Sequence, residues 1–117
     1  MATANLTTHT RELNANTSLI EIRGEVNAQA EGPLMSAYHQ LTENGIKNII
    51  LDFSQLEYMN SSGIGLLVTL LIRVKRQNQR LLACGLSDHY RQIFELTRLN
   101  EAIIIYQTAQ DALAALK

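Results

Sequence analysis

The chain has 117 residues, 46% of them hydrophobic, only 5% aromatic and none Trp, with a formal net charge of -1. That length and apolar content describe one folded domain, residues 1–117, with a core built from Leu, Ile, Val and Ala rather than a disordered tract. A near-zero charge carries no electrostatic footprint for nucleic acid, the longest apolar runs are too short to cross a bilayer, and a lone cysteine excludes an internal disulfide framework.

In chain order, residues 4 to 13 are Thr-rich with apolar points at Leu6 and Leu13, and read as a half-buried strand. Asn14-Ala15-Asn16-Thr17 is a turn signal. Leu19, Ile20 and Ile22 form a second strand ending at Gly24, so the two make a hairpin. Gly24-Glu25-Val26-Asn27 reads as a loop. Pro33 suits a first helical turn, Leu34, Tyr38 and Leu41 line one helix face, and Asn44-Gly45 stops it. Ile46 to Phe53 is the clearest strand signal. After Tyr58-Met59-Asn60-Ser61-Ser62-Gly63-Ile64-Gly65, the residues Ile64, Leu67, Val68, Leu71 and Ile72 recur at helical spacing, to about Gln77. Leu66 and Leu70 add to that stripe, so this helix is expected to be the most buried. Arg80 to Cys84 is a strand closed by Gly85, and Ser87 caps a helix through Ile93, Phe94 and Leu96. Ala102 to Tyr106 is the last strand, and Thr108 caps a terminal helix bearing Ala112, Leu113 and Leu116. The order β-β-α-β-α-β-α-β-α calls for an α/β fold: a mixed sheet of about five strands with parallel crossovers and about four helices.

The Ser61 segment holds the chemistry. It places two hydroxyls and two glycines at a helix mouth, where free N–H groups and the positive end of the helix dipole favour an anion. A serine there is a plain N-cap, a phosphate-binding element or a site of phosphorylation. Gly63 and Gly65 serve either tight backbone geometry or close packing. Met59 and Ile64 are either partner contacts or core. The basic residues Lys47, Arg73, Lys75, Arg76 and Arg80 read as solvated faces. His9, His39 and His89 fall in different elements, so no metal site is expected. Asp52 ends a buried strand and reads as a cap for the following turn. Cys84 reads as a small core residue. A nucleophile elbow would need Gly-x-Ser-x-Gly, and only Gly63 fits that pattern around Ser61. There is no Gly-x4-Gly-Lys-Ser phosphate loop either, so no kinase activity of the chain's own is expected. The lone cysteine and the lack of a leader pattern fit a cytoplasmic protein.

Three stretches together resemble the STAS domain family of bacterial anti-sigma factor antagonists. They are Ile49–Phe53 with its spacer to Met59 and Ser61-Ser62-Gly63-Ile64-Gly65; Ile22-Arg23-Gly24-Glu25-Val26-Asn27; and Ala83-Cys84-Gly85-Leu86-Ser87 followed by Phe94-Glu95-Leu96-Thr97-Arg98-Leu99. The resemblance implies a binding protein rather than an enzyme, without cofactor or metal. Its implied partner is an anti-sigma factor with a GHKL-type serine kinase domain, and a PP2C-type phosphatase would reset the switch. It further implies phosphorylation of Ser61, with Gly24, Glu25, Val26, Asn27, Met59, Asn60, Ser62, Gly63 and Ile64 as partner-binding residues, and neither nucleic acid nor membrane as a partner. Asn60 and Asn27 stand where the family commonly has Asp, keeping the hydrogen-bonding shape without the charge. A STAS scaffold that is not phosphorylated is the alternative.

Overall fold

The computed structural model describes residues 5–116. Five strands form one sheet in the order β1-β2-β3-β4-β5: β1 (Leu6–Asn14), β2 (Thr17–Val26), β3 (Asn48–Met59), β4 (Arg80–Cys84) and β5 (Ile104–Tyr106). The helices are α1 (Glu31–Glu43), α2 (Ser61–Arg76), α3 (Asp88–Leu96) and α4 (Ala109–Ala115). The element order is the one expected from the sequence. The first pair is antiparallel and closed by the Ala15-Asn16 turn; β2, β3, β4 and β5 are parallel. Each parallel crossover steps one strand in the same direction. Right-handed connections of that kind lay α1, α2 and α3 on the same face.

That face holds the main core, where Ile20, Ile22, Ile49, Leu51 and Phe53 meet Leu34 and Tyr38 of α1, Leu67 and Leu70 of α2, and Phe94 of α3. Phe53 and Phe94 meet edge to face at 6.2 Å between ring centroids, a favourable aromatic geometry. The opposite face is smaller. Leu19, Ile50, Leu82 and Cys84 pack there on Ala112 of α4, with Leu13 and Leu116 at the margin.

Several boundaries differ from the sequence reading, each for a physical reason. The first strand begins at Leu6, and residue 4 lies outside the described residues. β2 does not stop at Gly24: Glu25 and Val26 stay paired with Tyr58 and Met59, so only Asn27 of the expected loop leaves the strand. β3 likewise continues past Phe53 to Met59. The supposed spacer is strand, held on β2 through two register shifts that leave β3 with the extra residues. β5 is shorter than expected, starting at Ile104 rather than Ala102, because Ala102 and Ile103 follow a 3-10 turn at Leu99–Glu101.

The apolar stripe of α2 is also rotated from the expected one. Gly63, Leu66, Leu67, Leu70 and Val74 are buried, Ile64 and Leu71 flank them, and Val68 and Ile72 face outward at 39% and 46% exposure. The helix is therefore not buried all round. Asp52 accepts a 3.0 Å hydrogen bond from the Ser54 amide, inside β3 rather than in a following turn.

Cys84 is buried, and burial, followed by the nearby Asp52 charge, pushes its thiol up to about 12. A thiol held neutral and covered is a poor nucleophile. A thiol-reactive label at neutral pH should therefore modify Cys84 only after denaturant is added. Labelling of the native protein at the denatured rate would contradict this burial.

Candidate functional site

β2 and β3 run on beyond the end of β4, with β1 still paired to β2 as far as Gly24, and the first turn of α2 sits on their carboxyl ends. The two chain segments are locked together by one carbonyl. The Val26 oxygen accepts from the Asn60 amide at 3.2 Å, and it lies so close to Gly63 that any Cβ there would overlap it. A glycine is required because the helix backbone itself touches the strand end. Val26, Met59 and Gly63 are all buried. Expected to touch a partner, they instead face inward and act as the frame. Gly24 is buried too; its φ of +95 and its closeness to the Asn5 carbonyl both exclude a side chain.

Neither serine is the cap of α2. Asn60 is: its backbone is extended and its Oδ1 accepts from the Gly63 amide at 2.9 Å. Asn27 does the same for the 3-10 turn at Ala28–Ala30, its Oδ1 accepting from Gln29 at 3.0 Å. Both amides thus supply the acceptor oxygen that an N-cap needs, and the cap uses the shape of the side chain rather than a charge. The Asn60 cap releases Ser61 and Ser62 from that work. Both are exposed, and among the described residues neither hydroxyl makes a hydrogen bond.

Helical geometry separates the two serines. Residues 61, 65, 68 and 72 recur at i, i+4, i+7 and i+11, and so share one line down the helix. Ser61 therefore heads the outward face that carries Gly65, Val68 and Ile72. Ser62 instead lines a depression of about 330 Å3 with Ala28, Glu31, Leu66 and Thr69, beside the entry to α1. Gly65 is exposed, and a Cβ there would meet nothing within 4 Å. Tyr58, at 53% exposure, adds a second apolar group just before the loop. Val68, Ile72 and Tyr58 escaped the sequence reading as surface residues. The signal that could have found them is the polar run Ser54-Gln55 and Glu57 around Tyr58, and the fact that apolar residues surround α2 on more sides than one core can cover.

The loop is further braced from α3: the Met59 amide donates to the Tyr90 hydroxyl at 2.9 Å, and both residues are buried. The acidic groups at this end are Glu25, which accepts from Asn5 Nδ2 at 2.7 Å, and the exposed Glu31 and Glu57. His9, His39 and His89 are all exposed, and no cluster of metal-ligating side chains occurs among the described residues. No helix of the described residues is long and apolar enough to cross a membrane.

The family model named STAS domain matches residues 9–112. An anti-sigma-B factor antagonist of Staphylococcus aureus is 26% identical over 82 residues, 70% of this chain and 76% of that protein. Two solved structures share the fold. One is an anti-sigma factor antagonist from Mycobacterium paratuberculosis, with TM-score 0.80 and 21% identity over 97% of each chain. The other is the Bacillus cell fate determinant SpoIIAA in its phosphorylated form, with TM-score 0.73 and 20% identity over 95% of this chain and 100% of that one.

The frame makes a sharp demand on one position. Gly63→Ala should destabilise the chain by about 2–3 kcal/mol in urea unfolding, because the methyl collides with fixed backbone rather than with a flexible side chain. An unchanged unfolding midpoint would show that the helix start is not seated on Val26.

Proposed function

Because the chain belongs to the STAS domain family, we propose that it is an anti-sigma factor antagonist that binds an anti-sigma factor and is released when Ser61 is phosphorylated. The observation that carries the reading is the position of Ser61: exposed, relieved of capping by Asn60, and at the head of an outward helix face. A docking surface follows from the same geometry. It runs from Glu25 and Asn27 across Asn60, Ser61 and Ile64 and down α2 through Gly65, Val68 and Ile72, with Tyr58 at its edge. Ser62 borders it on the α1 side.

The partner would supply the kinase chemistry, as a GHKL-type serine kinase domain with Mg-ATP. The Ser61 hydroxyl attacks the γ-phosphorus, ADP leaves, and the hydroxyl proton passes to a base of the kinase. The product carries about -1.5 to -2 charge at the first turn of α2. This chain tolerates it, because the unpaired N–H groups and dipole of a 16-residue helix are positive there. A packed partner does not, since the added charge must be desolvated between apolar groups. Release therefore needs no refolding of the domain. A PP2C-type phosphatase would restore the hydroxyl. Asn60 and Asn27 are compatible with the switch, because the caps they form need only an acceptor oxygen.

The switch is tested by intact mass after incubation with the cognate kinase and Mg-ATP. The expected result is a gain of one phosphoryl group, retained in Ser62→Ala and absent in Ser61→Ala. Binding without any gain would leave the scaffold reading in its place.

Gly65 gives a separate test of the docking face. A glycine inside a helix costs roughly 0.5–1 kcal/mol relative to alanine, and nothing within the chain requires one here. Gly65→Ala should therefore leave the protein as stable or slightly more stable on heating, while weakening partner binding in calorimetry at least several-fold. Equal affinity of the two forms would remove Gly65 from the interface.

A further inference from the structure

A groove of about 280 Å3 opens at the far end of α2, at the sheet edge opposite the hairpin. It exists because β5 pairs only with Leu82, Ala83 and Cys84, so Arg80 and Leu81 of β4, paired with β3 on their other side, have no strand beside them at this edge. Leu71 and Val74 of α2 close the gap on one face of the sheet, and Leu116 closes it on the other. Two cations, Lys75 and Arg80, stand in its lining; both are exposed. Among the described residues no carboxylate lines it and neither cation forms an ion pair.

The wall is fixed before any ligand arrives. α2 ends in a paired turn: the Gln79 amide donates to the Val74 carbonyl at 2.9 Å and the Asn78 amide to that of Lys75 at 3.1 Å, with Asn78 at φ 56. The Gln79 side chain accepts from the Tyr38 hydroxyl at 2.7 Å. It donates to the Ile46 carbonyl at 2.8 Å and to Thr42 Oγ1 at 3.2 Å. An apolar cleft with a few fixed polar groups at its mouth is the usual form of a small-ligand site.

We infer that this groove binds a free medium-chain monocarboxylate, its aliphatic tail lying over Leu71, Val74, Leu82 and Ile104 and its carboxylate meeting Lys75 and Arg80. The cations select an anion and the apolar floor selects a tail, so neither a bare anion nor a neutral hydrocarbon satisfies both. A second copy of the chain is a poor occupant, since a two-fold contact would set Lys75 and Arg80 against their own copies. A peptide segment is too large, because the volume lies just under the roughly 300–1,000 Å3 of drug-sized pockets. The site lies roughly 20 Å from Ser61 along α2, and so stands apart from the proposed docking face.

The test is a titration of the 15N-labelled protein with sodium octanoate below its micelle concentration, with octan-1-ol as the uncharged control. Octanoate should give saturable shifts confined to Leu71, Leu82, Ile104 and Leu116 and their neighbours. Octan-1-ol should bind about tenfold more weakly, the worth of one charge-assisted hydrogen bond. The exposed pair Lys75→Gln and Arg80→Gln should keep the native spectrum and reduce octanoate to the level of the alcohol. Shifts scattered over the surface, equal affinity for the alcohol, or unchanged octanoate binding by the double variant would each overturn the inference. So would the absence of saturable shifts.

Discussion

The site depends on the close approach of the Val26 carbonyl to the start of α2. One oxygen accepts the Asn60 amide and rests against the Gly63 backbone. It thereby fixes the end of β2, the end of β3 and the first turn of α2 as one rigid unit. Remove the glycine and the helix has to lift; shorten β2 and the oxygen is no longer there to meet it. The buried Tyr90 hydroxyl adds a strut from α3 to the same loop. Ser61 can sit free and exposed because Asn60 takes the capping bond and Gly63 takes the contact with the Val26 carbonyl. The position is rigid while the hydroxyl is not engaged.

Charge and shape divide differently here than the sequence alone suggests. Asn27 and Asn60 look like neutralised acids when set beside the family pattern. In the fold both are N-caps, at the two turns that leave the parallel strand ends. An amide oxygen and a carboxylate oxygen accept the same backbone hydrogen bond, so local structure survives the exchange. What changes is the electrostatic potential around Ser61. It is left to Glu25, Glu31 and Glu57 on one side and to the helix dipole on the other.

Most of the element order could be read from the sequence, because apolar periodicity and cap residues mark it: Ser87 and Thr108 both cap where expected, and Arg80–Cys84 is a strand to the residue. The misreadings have two causes. From Ser54 to Tyr58, β3 carries exposed or half-buried residues on the part that runs beyond β4, so its strand character comes from pairing with β2 and leaves no alternation of burial to detect. In α2 the opposite holds. Apolar residues occupy so many positions that spacing alone cannot choose the inward face, and Gly63 decides it by fitting against Val26. The serines looked like caps because the helix start was uncertain by one residue, and Asn60 proved to hold that place.

Strand order in the sheet is the same as strand order along the chain. Such a chain can be laid down as it is synthesised, each new strand finding the edge left by the one before, with no gap reserved for a later arrival. Apart from the Tyr90 strut, the hairpin, α1, β3 and α2 comprise the frame around Ser61, and they are complete by Arg76. The partner-facing half of the molecule can thus assemble from the leading two-thirds of the chain. The edge formed by β4, β5 and α4 closes last.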